Sequence, residues 1–307
     1  MTLPLTTGFS LLALIAKTHL RAVIFLLLLA LVSFVPGQST LQPMDRDEPR
    51  FAQATKQMLE TGDFIDIRFQ DEARHKKPVG IYWLQSLTVS AGEAFGVHEA
   101  RTQIWLYRLP SLIAATATVL LTYWALLALL PPHLALLGGA VMAASILLGV
   151  EARLAKTDAV LAACSVAVMG ALLRVWLDWV RALPFAVSGR NWLVFWGALT
   201  LAVLVKGPIL PMILAITIIG ISIKERGIGW MTGLNSRKGI LILLAVVLPW
   251  FLAIMWKSGG SFLADSVGKD MLGKVTEGQE KHGAPPGFYF LAFFGTFWPA
   301  EIGRAHV

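Results

Sequence analysis

Residues 44–63 read MDRDEPRFAQATKQMLETGD, and they hold the side chains in this chain best suited to chemistry. Asp45, Asp47 and Glu48 lie within four positions, and Arg50 follows Pro49. A carboxylate can take a proton from an attacking hydroxyl, and a guanidinium three residues away can grip an anion in a bidentate fork. Together they suit transfer of a group away from a phosphate. Further cations stand at Lys77, before Pro78, and at Lys206, before Gly207 and Pro208; Asp158 closes the run Glu151-Ala-Arg-Leu-Ala-Lys-Thr-Asp158. Each residue also has a plainer use. Asp47 and Asp158 stand where carboxylates cap helices, Glu48 where one complements the helix dipole or supports a neighbour, and Lys77 and Lys206 where membrane-edge lysines snorkel.

The elements that must position these residues follow from spacing. Acidic residues before Pro49, then Phe51, Met58 and Leu59 at helical intervals and Gly62 past the last turn, predict a short amphipathic helix with its carboxylates at the N-terminus. It falls in a loop, 36–101, that is too long to be a connector. After 64–70 comes a charged turn, Asp71-Glu-Ala-Arg-His-Lys-Lys-Pro78, and then a second apolar-rich helix from Val79 to about Phe95 that carries Tyr82, Trp83 and Leu87. Both helices are expected to lie along the membrane surface, where Trp and Tyr are favoured.

The rest of the chain reads as membrane. Its 307 residues are 56% hydrophobic with a mean hydropathy of +0.67, which excludes an ordinary soluble domain. Apolar runs at 22–35, 104–130, 134–150, 159–177, 192–205, 209–223 and 240–256 give seven spans, the first beginning near Thr18, and an eighth starts at Phe288. Backbone groups in lipid must be satisfied within the segment and no barrel-like alternation is visible, so the fold class is an all-α polytopic membrane protein. Lys17, His19 and Arg21 ahead of the first run place the N-terminus inside. By parity, 36–101, 151–158, Lys206-Gly-Pro208 and the long loop 257–287 then share the outer face, while Lys224, Arg226, Arg237 and Lys238 lie inside.

The net charge of +7 suits anionic lipid or a phosphate-bearing substrate, and basic residues scattered between apolar runs exclude nucleic acid as partner. Arg153, Lys156, Lys206, Lys269, Lys274 and Lys281 make the outer loops basic, which a phosphate-bearing ligand at that face would account for. Cys164 stands alone, so no intramolecular disulfide is possible. Two other function classes fit a polytopic chain, a secondary transporter and a noncatalytic scaffold. No internal repeat is evident and the ionisable residues sit at span ends, both of which weigh against the transporter.

Six landmarks in order, Asp47-Glu-Pro-Arg-Phe51, Met58-Leu-Glu-Thr-Gly-Asp63, Lys77-Pro78 with Tyr82-Trp83-Leu84, Tyr107-Arg-Leu-Pro-Ser111, Arg153-Leu-Ala-Lys-Thr-Asp158 and Lys206-Gly-Pro208, resemble those of a known family. It is the bacterial lipid-linked glycosyltransferases of family 39, related to aminoarabinose transferase and protein O-mannosyltransferase. The resemblance runs from Asp47 to about Pro286. It implies a GT-C transmembrane bundle, a polyprenyl-phosphate sugar as donor, and transfer with inversion to lipid A, a glycan or a protein at the periplasmic face of the bacterial inner membrane. It also implies that Asp47 acts on the acceptor hydroxyl and Arg50 contacts the donor phosphate, with Lys77, Asp158 and Lys206 in the same cavity. Asp158 is expected to share the catalytic role, and Glu48 and Tyr82 are candidates to join Arg50, Lys77 and Lys206 around the substrate. His282, within 280–286, resembles a histidine that binds a divalent metal in some members. Lys76 stands where those members have Glu, so a zinc site lacks a second protein ligand and the cofactor stays open.

On this reading residues 1–300 form one transmembrane domain. Residues 301–307, Glu-Ile-Gly-Arg-Ala-His-Val, are what GAG ATC GGA AGA GCA CAC GTC encodes, a string shared with a sequencing adapter. A non-native tail is expected there, with a natural chain that continues into more spans.

Overall fold

The computed structural model describes residues 12–44, 47–182 and 190–263, together with 287, 288 and 292. The chain enters through α1 (His19–Phe34), capped by the Thr18 hydroxyl, which accepts from Arg21 N at 3.3 Å. Next comes α2 (Asp47–Thr61), closed by Gly62 at φ 71°, a left-handed conformation that glycine adopts without steric cost. A two-residue antiparallel ribbon of β1 (Arg68–Phe69) and β2 (Glu72–Ala73) occupies the charged turn before α3 (Gly80–Ala94). This ribbon departs from the all-α expectation because a two-residue pair has no alternation to read in sequence.

The remaining spans follow as α4 (Ile104–Leu126), α5 (Pro132–Ala144) with the short α6 (Ile146–Glu151), α7 (Asp158–Val180), α8 (Asn191–Lys206), α9 (Ile209–Lys224) and α10 (Ser236–Lys257). Each lies within a few residues of its apolar run. By length and hydropathy α4, α7 and α10 can cross a membrane alone, whereas α1, α5, α8 and α9 are shorter apolar helices. The third run differs from expectation in being broken. Ser145 is extended at φ −61° and ψ 124°, and splits α5 from α6. One serine in an apolar run leaves no mark in hydropathy.

Helices α4 and α7 form the most extensive pair, with α8 against α7 and with α1 and α5 against α4. Small residues permit the approach. A Cβ on Gly170 would come within 2.7 Å of the Trp124 ring, and one on Gly139 within 2.9 Å of Leu26. Pro110 inside α4 has no N–H for the Leu106 carbonyl, and the Thr88 hydroxyl of α3 donates to that carbonyl at 2.8 Å instead. A proline that would weaken an isolated span therefore ties α4 to the helix beside it.

The parity expectation is met by contact. Arg153 Nε donates to Pro36 O at 2.8 Å, Ala155 N donates to Glu48 Oε1 at 3.0 Å, and Lys206 pairs with Asp158 and Lys257 with Asp63. The loops after the first, third, fifth and seventh spans meet at one end of the bundle.

Candidate functional site

The site is organised from Glu48 outward. Glu48 and Arg108 are both 0% exposed, and Arg108 donates through Nε to Oε1 at 2.7 Å and through Nη2 to Oε2 at 3.1 Å. Arg108 Nη1 also donates to the carbonyls of Gln38 at 2.8 Å and Leu41 at 2.9 Å. Gln38 in turn donates through Nε2 to Ala152 O at 2.8 Å. Gln85 of α3 donates to Ala155 O at 3.2 Å and accepts from Thr55 of α2 at 2.6 Å. Three of the sequence landmarks, at Asp47, Tyr107 and Arg153, are thus bound into one buried polar network. Breaking it would leave a charge stranded away from water, so the network fixes the start of α2 against the loop 151–158.

From sequence Glu48 had three uses open, helix-dipole complementation, support of a neighbour and a substrate contact. It is sealed and its oxygens are taken by Arg108 and Ala155, the supporting use.

Asp47 lies one residue earlier and stays half-exposed at 49%. Arg50 Nη1 is 3.9 Å from its Oδ1, and Arg74 Nη2 from the charged turn is 3.7 Å away. Arg74 was not foreseen. It is 9% exposed, lies 5.2 Å over the Phe51 ring, and its Nε is buried without a hydrogen-bond partner. The Tyr82 hydroxyl sits beside the Arg74 guanidinium without hydrogen-bond geometry and is likewise buried without a partner. Burial pushes that phenol up to about 12, against the opposing charge of Arg74. Tyr82 is 0% exposed, so it stands as a neutral group under Asp47 rather than on an open surface.

Lys77 and Lys206 are brought together by backbone approach. Gly80 at the start of α3 packs on α8, where a Cβ would lie 2.7 Å from the Leu204 carbonyl carbon and oxygen. Gly207 has φ 69°, and a Cβ there would be 4.0 Å from Pro78 Cγ. Lys77-Pro78 and Lys206-Gly207 are therefore neighbours, and both lysines are half-buried. Lys206 Nζ is paired with Asp158 at the first turn of α7. Asp158 also lines a cavity of about 470 Å³ with Ser145, Leu148, Glu151, Ala162 and Val166, a mostly apolar space opened where α5 breaks. Glu151 pairs with Lys156 at 3.4 Å.

The segment leading into the charged turn is strapped to α10, and the turn itself to a residue just beyond that helix. Trp250 Nε1 donates to Ile65 O at 3.2 Å, Lys257 pairs with Asp63, and the His75 ring stands edge-on to Phe262 at 5.6 Å. His75 Nε2 is 2.9 Å from Asp66 Oδ1, which fixes the turn just before Lys76 and Lys77. Burial would raise Asp63, but Lys257 and the backbone N–H groups of Asp66 and Ile65 hold it below the usual range.

Two readings from sequence need correction or restriction. Arg153, counted among basic residues awaiting a phosphate, donates to the backbone carbonyls of Pro36, Gly149 and Ser33 and stitches α6 to the end of α1. His282, with Lys269, Lys274 and Lys281, lies outside the described residues. Lys76 is exposed, and among the described residues no group of three His, Cys, Asp or Glu side chains converges to hold a metal. The described donors do not fit a metal centre.

No family model matches the chain. An uncharacterized protein of Aquifex aeolicus is 30% identical over 274 residues, which is 87% of this chain and 58% of that protein. Two crystal structures of ArnT from Cupriavidus metallidurans share its fold. The apo structure gives a TM-score of 0.73 at 20% identity and the structure bound to undecaprenyl phosphate 0.74 at 18%. They match 91% and 92% of this chain, which covers 48% and 50% of theirs. The chain thus has a polytopic GT-C glycosyltransferase-like fold and spans about half the length of the ArnT structures.

Proposed function

We propose that this chain carries the donor site and catalytic base of a membrane glycosyltransferase that moves a sugar from a polyprenyl phosphate to a hydroxyl or phosphate of an envelope acceptor. The acceptor classes that fit are lipid A, another glycan or a protein. The observation that carries this reading is the apolar cavity of about 470 Å³ whose polar rim is Glu151 and Asp158, the latter holding Lys206. An isoprenoid tail needs an apolar wall and its phosphate needs cations at the end of that wall. The ArnT structure bound to undecaprenyl phosphate, alike in fold, supports a polyprenyl phosphate as the donor lipid.

For a hydroxyl acceptor the step needs a base and a phosphate clamp. The acceptor oxygen bonds to the anomeric carbon as the bond from that carbon to the phosphate oxygen breaks. The hydroxyl proton passes to Asp47, and polyprenyl phosphate leaves as the anion. Arg50, Lys77 and Lys206 stabilise the charge growing on the phosphate, Arg50 through its planar fork and the lysines as point charges. Asp158 keeps Lys206 at the cavity rim until the phosphate shares it. Arg74 aims Asp47 and adds a fourth cation, while Glu48 and Arg108 fix the helix that presents both Asp47 and Arg50. A single displacement inverts the anomeric centre.

The site faces the periplasm of a bacterial plasma membrane. Support comes from Lys17 and Arg21 flanking α1, and from Lys224, Arg226, Arg237 and Lys238 at the end of the bundle away from Asp47. Membranes holding the full-length protein and supplied with a labelled polyprenyl-phosphate sugar are expected to place label on a new acceptor, identified by mass spectrometry of envelope lipids and glycoproteins. Solute uptake into sealed vesicles with no label transfer would overturn the reading in favour of a transporter.

A further inference from the structure

At the far end of the bundle, α7 and α9 leave an open groove of about 480 Å³ lined by Met169, Leu172, Trp176, Gly220, Ile221 and Lys224 among others. Trp176 is 18 residues beyond Asp158 on α7, about 27 Å along the helix axis at 1.5 Å per residue. The groove is therefore separate from the site around Asp47.

Its chemistry is divided along its length. The wall is apolar, and the Thr217 hydroxyl there is already matched, donating to Ile213 O at 3.0 Å. The mouth is cationic. Lys224 Nζ stands 4.6 Å over the Trp176 ring, so its ammonium is held at the rim. The neighbouring carboxylate of Glu225 accepts from Trp176 Nε1 at 2.9 Å, which ties it to the indole edge. Arg226 follows in the segment after α9, and Arg237 and Lys238 in the first turn of α10, and they add positive charge. The floor is open at Gly220, where a Cβ would meet nothing within 4 Å.

We propose that this groove is a binding site for an anionic glycerophospholipid of the leaflet at that end, with one acyl chain between α7 and α9 and the headgroup phosphate on Lys224. An apolar trough closed by a cation matches the two halves of such a lipid, and a zwitterionic headgroup would set its own ammonium against Lys224. The site does not depend on which sugar or acceptor the opposite end handles.

The full-length protein, purified in a nonionic detergent, is titrated with phosphatidylglycerol and with phosphatidylcholine of the same acyl chains, and bound lipid is counted by native mass spectrometry. Phosphatidylglycerol is expected to bind more tightly. Lys224→Gln is expected to weaken it about five-fold while leaving phosphatidylcholine unchanged. Gly220→Leu fills the groove and is expected to remove the site for both lipids, and Lys56→Gln, which removes one positive charge from the surface of α2 away from the groove, serves as a charge-matched control with little effect. Equal binding of the two lipids, or undiminished phosphatidylglycerol binding by Lys224→Gln, overturns the proposal. A lower melting temperature for Gly220→Leu with lipid binding intact would show protein rather than lipid seated there, and would overturn it as well.

Discussion

The Glu48 carboxylate lies against the Arg108 guanidinium at 2.7 and 3.1 Å, 60 residues apart in sequence and both excluded from solvent. This pair joins the first turn of α2 to α4, and the Ala155 N–H adds the loop before α7. Removing one partner from such a buried pair typically costs about 3–5 kcal/mol, because the other charge is left unmatched. Glu48→Gln is therefore expected to lower the melting temperature strongly and to reduce the yield of folded protein. Full stability with a selective loss of substrate binding would instead make Glu48 a ligand contact.

Arg74 is the cation that the structure adds beside Asp47. Replacing it with Met keeps much of the packing on Phe51 but removes the charge. Transfer is expected to fall by about 10²-fold, the scale seen when one stabilising donor is lost from an active site. Arg74→Lys is expected to recover part of that loss, since it restores the charge without the fork. Steady-state transfer with labelled donor reads both variants, and an unaltered rate for Arg74→Met would remove it from the site.

Gly80 lets the start of α3 approach α8, beside which Lys77-Pro78 and Lys206-Gly207 are neighbours. Gly80→Ala would place a Cβ 2.7 Å from Leu204 backbone atoms, which cannot rotate away as a side chain can. The α3 helix must then shift off α8, and weaker binding of polyprenyl phosphate is expected. Gly197→Ala on the same α8 meets nothing within 4 Å and is expected to change little. A pair of binding isotherms decides the matter; equal affinity in the two variants would separate the lysine arrangement from this contact.

Asp63 provides a pH-dependent prediction. Its folded-state pKa lies below the unfolded value of 3.8, so its pairing with Lys257 stabilises the strap at neutral pH. That contribution is lost as pH falls below 3.8 and through the lower folded-state value. Melting temperatures taken between pH 7 and pH 3 should fall less steeply for Asp63→Asn than for the parent chain. Identical slopes would show that the strap contributes nothing to acid sensitivity.

Much of this arrangement was legible in the sequence, for identifiable reasons. The spans follow from apolar run length, and α2 follows from Asp47, Glu48, Pro49 and Gly62, all of which act within a turn of where they stand. Parity placed Asp47, Lys77, Asp158 and Lys206 at one end, because a helix that crosses must exit on the other side. Long-range pairing was not legible. Nothing local tells that Arg108 reaches Glu48, that Arg153 serves three carbonyls, or that Arg74 folds back over Phe51. Arg108 did lie within the Tyr107–Ser111 landmark, and an arginine followed closely by proline inside an apolar span was a signal that it had a buried partner. The break at Ser145 carried no such signal, although it lines the cavity on which the proposed donor site depends.

In the proposed function Asp47 takes the acceptor proton while the surrounding cations hold the donor. Transfer of labelled sugar by purified full-length Asp47→Asn, measured beside its affinity for polyprenyl phosphate, tests it most directly. Transfer is expected to fall to background while polyprenyl phosphate still binds and the melting temperature is kept, since asparagine keeps the size and hydrogen-bonding shape of the half-exposed Asp47 side chain. Transfer at a near-normal rate with the same donor would contradict the assignment of Asp47 as the base.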